Sequence, residues 1–117
     1  MMHLSWTTCE WLSLSEIERL RLDVLGVYII WHGGPAPRVV YIGHGNVAER
    51  LKAHADDPVI LAYRVYGELL ITWAGVPIEK IDGVEKYLRS RWPELIRDEL
   101  LDVAPIVVNV PALTAVP

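Results

Sequence analysis

The chain has no phenylalanine and a single cysteine, Cys9. One cysteine excludes an intramolecular disulfide and any zinc site built on a set of cysteine ligands. No run approaches 18 uninterrupted apolar residues, so no membrane-spanning helix is expected. The opening stretch MMHLSWTTCEWLS lacks a basic segment followed by a long apolar one, which leaves a cytoplasmic protein as the expectation. Internal repeats and low-complexity runs are missing too. Positive charge is scarce: 11 Lys and Arg stand against 15 Asp and Glu, a formal net charge of -4. Nucleic-acid binders usually carry a basic face, because phosphate neutralisation dominates their affinity. Any such surface here must be local.

What is present reads as one globular domain over residues 1–117. The composition is 52% hydrophobic and 22% charged, enough apolar material for a core that needs no metal or disulfide staple. Residues 1–25 form an N-terminal packing extension, with Trp6 and Trp11 as anchors. Ser13 or Ser15 caps a helix through EIERLRL whose buried stripe is Ile17, Leu20 and Val24. Residues 26–111 form the core unit.

Gly26–Trp31 reads as a strand, with Val27, Ile29 and Trp31 on one face and Tyr28 and Ile30 on the other. HGGPAP breaks the pattern, and Arg38–Gly43 follows as a second strand, pairing as an antiparallel hairpin. Strict alternation puts Val39 and Tyr41 on one face, Val40 and Ile42 on the other. Gly43 and Gly45 leave room for close backbone approach, and Asn46 caps a helix over VAERLKAH. Val47 and Leu51 bury one side of it. Arg50 and His54 are four residues apart and share another. ELLITWA reads as a third strand, and ADDPVILAY reads either as a short helix, with Asp56 or Asp57 as cap and Pro58 at its first position, or, over residues 57–66, as part of that strand's partner. A second major helix runs from Pro77 to about Trp92, with Ile81, Val84, Leu88 and Trp92 as its stripe. Glu85 falls inside that stripe, where a carboxylate is costly unless paired or bound to a cation. PELIRDELLDV reads as helical, and PIVVNVP as an extended closing segment with Asn109 its only polar side chain.

Gly26-Val27-Tyr28 followed by Tyr41-Ile42-Gly43 resembles the paired half-motifs of the GIY-YIG nuclease superfamily. The family carries an arginine, and often a histidine one turn later, on the next helix; Arg50 and His54 match. Its metal-binding glutamate on a later helix is matched by Glu85, and its near-terminal asparagine by Asn109. The likeness covers residues 26–111. It departs in reading GVY for the first tripeptide, in His44-Gly45 after the second, and in overall acidity. The resemblance implies an α+β fold, a small central three-stranded antiparallel sheet flanked by helices. It also implies an endonuclease that uses Mg²⁺ or Mn²⁺ to hydrolyse phosphodiester bonds of nucleic acid, with DNA the expected polymer.

The residues suit that chemistry. One carboxylate, Glu85, is enough for a Mg²⁺ that keeps several waters and draws other ligands from phosphate. The Arg50 guanidinium matches phosphate oxygens in shape. Tyr28 is the candidate for activating or positioning water, with Tyr41 and His54 supporting it by hydrogen bonds. Gly43, His44 and Asn109 are candidate substrate-binding positions. Each residue also has a plainer role. Tyr28 and Tyr41 can pack across a hairpin, and Arg50 can pair with Glu49 or Asp56. His54 can cap a helix dipole, and Glu85 can pair with Arg89 at i+4. Arg89, Arg91 and Arg97 form the one basic cluster outside the site. The rival function is a catalytically silent binding module on the same fold.

Overall fold

The computed structural model describes residues 1–7, 12–19, 21–96, 102–111 and 113. Trp11, Leu20 and Arg97, named above, lie outside the described residues. Alternating apolar residues build β1 (Leu25–His32) and β2 (Arg38–Asn46), and a third apolar run builds β3 (Leu69–Gly75). The strands form one antiparallel sheet in the order β2-β1-β3, so β1 is central and β2 lies at an edge. With the helices around it, this is a compact α+β domain.

Helix α1 (Val47–His54) begins at Asn46, whose side chain accepts from the Glu49 backbone N–H at 3.1 Å. Helix α2 (Pro58–Leu61) is capped by Asp57, accepting from the Val59 N–H at 2.9 Å, with Pro58 at its first position. Helix α3 (Ile81–Arg91) follows a short 3-10 turn over Ile78–Lys80, a later start than Pro77. The capped helix near Ser13 is a 3-10 helix over Leu14–Arg19 instead of an α-helix. No helix lies over Pro93–Ile96; Leu95 and Ile96 donate backbone N–H groups to the Val39 and Val40 carbonyls.

Both faces of the sheet are covered. Val27, Ile29, Trp31, Val39 and Ile42 pack with Ile81, Val84 and Leu88 of α3. Tyr28, Ile30, Val40 and Tyr41 pack with Val47 and Leu51 of α1 and with Leu14 and Ile17. This corrects the simple alternation in β2. Ile30 pairs with Tyr41 but Trp31 pairs with Val39, so Val40 is an extra residue on the β2 side. Such a bulge lets two successive side chains turn the same way, and Val40 and Tyr41 both enter the cluster beneath α1.

The closing segment is extended, with Val108 bridging Met2 in parallel. Among the described residues, no helix is long and apolar enough to cross a membrane.

Candidate active site

β1 and β2 bring Tyr28 opposite Gly43 in the strand register. A Cβ at position 43 would lie 2.4 Å from the Tyr28 hydroxyl oxygen and 2.8 Å from the Tyr41 ring. Only glycine leaves room there, and the phenol lies over the bare backbone. Tyr28 Oη and His54 Nε2 are joined by a buried hydrogen bond of 2.7 Å. Either atom can donate, according to the imidazole tautomer. The Tyr41 ring lies 4.7 Å from the His54 ring and 6.1 Å from that of Tyr28, centre to centre. The two half-motifs and the helix that follows them therefore assemble a three-ring cluster.

Arg50 stands at the rim of this cluster. It is exposed, one turn before His54 on α1. Hydrogen bonding to Tyr28, then the charge interaction with Tyr28, raises the Arg50 pKa above its ordinary value, with weaker contributions from Tyr41 and a partial offset from burial. Gly45, at φ +126°, places a position without Cβ against the Arg50 stem, where an added Cβ would approach Cγ to 3.3 Å. Left-handed backbone and close approach together account for glycine at this position.

Glu85 is 2% exposed, as its place in the apolar stripe of α3 requires. Its Oε1 lies 3.1 Å from His44 Nδ1 and its Oε2 lies 3.9 Å from Arg89 Nη2. His44 pairs with Val27 across the hairpin, so it belongs to the α3 face of the sheet. Glu85 and the three rings therefore occupy opposite faces, and the Gly43-His44 dipeptide at the edge strand joins them. Among the described residues no group of three or more His, Cys, Asp or Glu side chains converges as a ready metal site.

Asn109 lies elsewhere. Its Oδ1 accepts from the Leu4 N–H at 2.5 Å and its Nδ2 donates to the Leu4 carbonyl at 2.8 Å. The Trp6 indole N–H donates to the Asn109 carbonyl at 2.9 Å. Both ends of the side-chain amide are thus engaged in fastening the N-terminal segment, a structural role away from the three rings and Glu85. Arg89 does not form a basic face with Arg91. Its side chain is 8% exposed and turned between Glu85 and Glu94, the latter 3.6 Å from Nε. Sequence reasoning missed Glu94, a buried carboxylate whose only signal was its position after Pro93, close to the end of α3.

Comparison of the chain with protein-family models, with curated proteins and with solved structures returned no match.

Proposed function

We propose that the chain is a divalent-metal-dependent endonuclease of the GIY-YIG type, hydrolysing phosphodiester bonds in nucleic acid. The observation that carries this reading is the Tyr28–His54 hydrogen bond with Arg50 held against the same tyrosine. Packing alone gives no reason to gather two phenols, an imidazole and an exposed guanidinium over a glycine. Arg50 offers a fixed fork for the phosphate oxygens and neutralises charge that grows as water attacks phosphorus. A cation beside Tyr28 favours the phenolate over the phenol, and His54 is placed to exchange a proton with that oxygen. Water loses a proton as its oxygen bonds to phosphorus, and the departing alkoxide gains one as the P–O bond breaks.

Glu85 is the residue that would hold a metal ion. Its fit rests on Oε1, a hard oxygen whose partner 3.1 Å away is the His44 ring, 41% exposed. A single carboxylate suits Mg²⁺ or Mn²⁺ that keeps several waters. When bound, such an ion supplies Lewis-acid stabilisation at the phosphate and leaving oxygen.

The test is incubation of purified protein with plasmid and single-stranded substrates in Mg²⁺ or Mn²⁺. Cleavage is expected with the native chain and should be lost in Tyr28→Phe, Arg50→Ala and Glu85→Gln. A native protein that does not cut, or cutting that survives all three changes, overturns the proposal.

Two observations favour the second reading, a binding module without chemistry. Tyr28 is fully buried, and Glu85 sits on the other sheet face with Arg89 already beside it. Such a module that binds nucleic acid would show steep loss of affinity with salt but no metal-dependent product.

A further inference from the structure

The α3 face of the sheet holds a cavity of about 350 Å³, at the lower end of the range of small-molecule sites. Trp31 and Val39 reach it from the sheet, and Trp92 and Pro93 from the chain that leaves α3. Pro37 and Leu113 complete its apolar lining. Side chains of this kind ordinarily close on one another, because protein interiors are packed without gaps of ligand size. Here the frame holds them apart. Trp31 is fixed in β1 between Val39 and Leu70, and it is 7% exposed. The Leu95 and Ile96 amides tie the chain after Pro93 to the Val39 and Val40 carbonyls, at 3.0 and 2.8 Å. Buried Glu94, 3.6 Å from Arg89 Nε, fastens the same chain to the last turn of α3. The Pro37 and Pro93 rings stiffen the backbone at two points of the wall. A cavity framed in this way needs little rearrangement when a ligand enters, and that saving adds to affinity.

The lining also has a definite polarity. Arg38 is its one charged side chain, and neither a carboxylate nor a hydroxyl lines the space beside it. Arg38 is exposed. The chain carries 15 Asp and Glu, yet among the described residues none lies within ion-pair distance of Arg38. A guanidinium without a carboxylate partner, at an apolar cavity, favours an anion. Its planar fork suits a carboxylate or a phosphate group. The indoles favour a flat aromatic partner over an aliphatic one of the same area, through offset or edge-to-face contacts.

We infer that this cavity binds a small aromatic acid, with its ring against the Trp31 and Trp92 indoles and its anionic group on Arg38. The site stands apart from the nuclease reading and uses neither the metal nor the nucleic acid of that reading. Trp31 lies four residues along β1 from Val27, the partner of His44, about 13 Å at the usual strand rise. The Tyr28 cluster lies on the other face of the sheet.

The test is a titration of the full chain followed by its indole N–H signals in heteronuclear NMR, each assigned by substitution with phenylalanine. The probes are naphthoate, naphthyl phosphate, neutral naphthalenemethanol and aliphatic cyclohexanecarboxylate. The naphthyl acids should shift the Trp31 and Trp92 signals saturably and leave that of Trp73, on the other face, in place. The neutral alcohol should bind about 10- to 100-fold more weakly, the difference made by a hydrogen bond to a charged group. Arg38→Gln should weaken the acids by the same factor and leave the alcohol unchanged. Arg38 is exposed, so this variant keeps the fold, and unchanged signals away from the cavity check that. Tighter binding of the carboxylate or of the phosphate supports the site and identifies its anionic group. No saturable shift of either indole at millimolar acid overturns the inference. So does an acid affinity that Arg38→Gln leaves unchanged, or cyclohexanecarboxylate binding as tightly as naphthoate. Cleavage of nucleic acid by the same preparation is scored separately, so either proposal can fail while the other stands.

Discussion

Replacing Gly43 with alanine tests the site through its tightest contact. The added Cβ would lie 2.4 Å from Tyr28 Oη, 2.6 Å from Tyr28 Cζ and 2.8 Å from Tyr41 Cε2. These atoms belong to the rigid phenol groups of buried side chains, so they cannot swing away as the end of a lysine can. Both tyrosines must shift by close to an ångström, and the 2.7 Å bond from Tyr28 to His54 cannot survive that shift. Overpacking a core costs about 1–3 kcal/mol, and losing a buried hydrogen bond costs about 1–3 kcal/mol more. The two overlap, because relief of the clash is what breaks the bond. A total of roughly 2–4 kcal/mol follows, equivalent to a fall in Tm of about 8–16 °C for a chain of this size.

The double variant separates this cause from general damage. Tyr28→Phe alone should cost about 1–2 kcal/mol, since it strands the buried His54 nitrogen. Added to Gly43→Ala it should cost less, because the bond is already gone and the closest atom of the clash is removed. Urea unfolding of the two single variants and the double variant closes the cycle. The sum of the single effects should exceed the double effect by about 1 kcal/mol or more. Strict additivity, or a Gly43→Ala protein as stable as the native one, would refute the placement of the phenol over Gly43.

Arg50→Ala should lower metal-dependent cleavage about 10²- to 10³-fold while shifting stability by less than about 0.5 kcal/mol, as an exposed side chain does. A single-turnover assay paired with a thermal melt reads both. Because the folded pKa of Arg50 is raised above its already high ordinary value, its charge is fully present below the unfolded value and is lost only above the folded one. A pH–rate profile should therefore show no limb that disappears in Arg50→Lys. Glu85→Gln should abolish the heat of Mg²⁺ binding in calorimetry and also lower Tm, since Arg89 loses its charged partner. Asn109→Ala should cost about 1–3 kcal/mol for its two hydrogen bonds to Leu4. It should speed hydrogen exchange at the Leu4 amide and leave cleavage per folded molecule unchanged; a selective loss of cleavage would return Asn109 to the site.

How much of this was legible depends on how much contrast each segment offered. In β1 the order of Val27, Ile29 and Trp31 against Tyr28 and Ile30 gave both faces correctly, since strand alternation needs no other information. The cap at Asn46 was readable, because a short polar side chain before a helical run has one economical use, whereas Asp56 and Asp57 stood as alternatives until the structure selected Asp57. Glu85 showed itself as a carboxylate in an apolar stripe, and it is buried. Its partner His44 was not readable, since 41 residues separate them in the chain and only the hairpin's register turns that ring toward α3.

The bulge at Val40 shows why the rest stayed hidden, and why it matters. Val39, Val40, Tyr41 and Ile42 are all apolar enough to be buried on either side, so period-two counting had no polar residue with which to fix its phase. The extra residue was invisible, and Val39 and Tyr41 were assigned one face when they occupy two. Without the bulge, pairing Trp31 with Val39 would carry Ile29, not Ile30, opposite Tyr41, and one of the two registers would have to give. The observed arrangement keeps Val39 over α3 and still delivers Tyr41 to Tyr28 and His54. It does so on the edge strand, where an irregular ladder costs least, and where the Leu95 and Ile96 amides reach the Val39 and Val40 carbonyls. The same strand then passes Gly43 beneath the phenol and turns His44 to the opposite face. A single inserted residue thus sets which side chains meet on each face, and the two halves of the candidate site depend on the register of β2 as a whole.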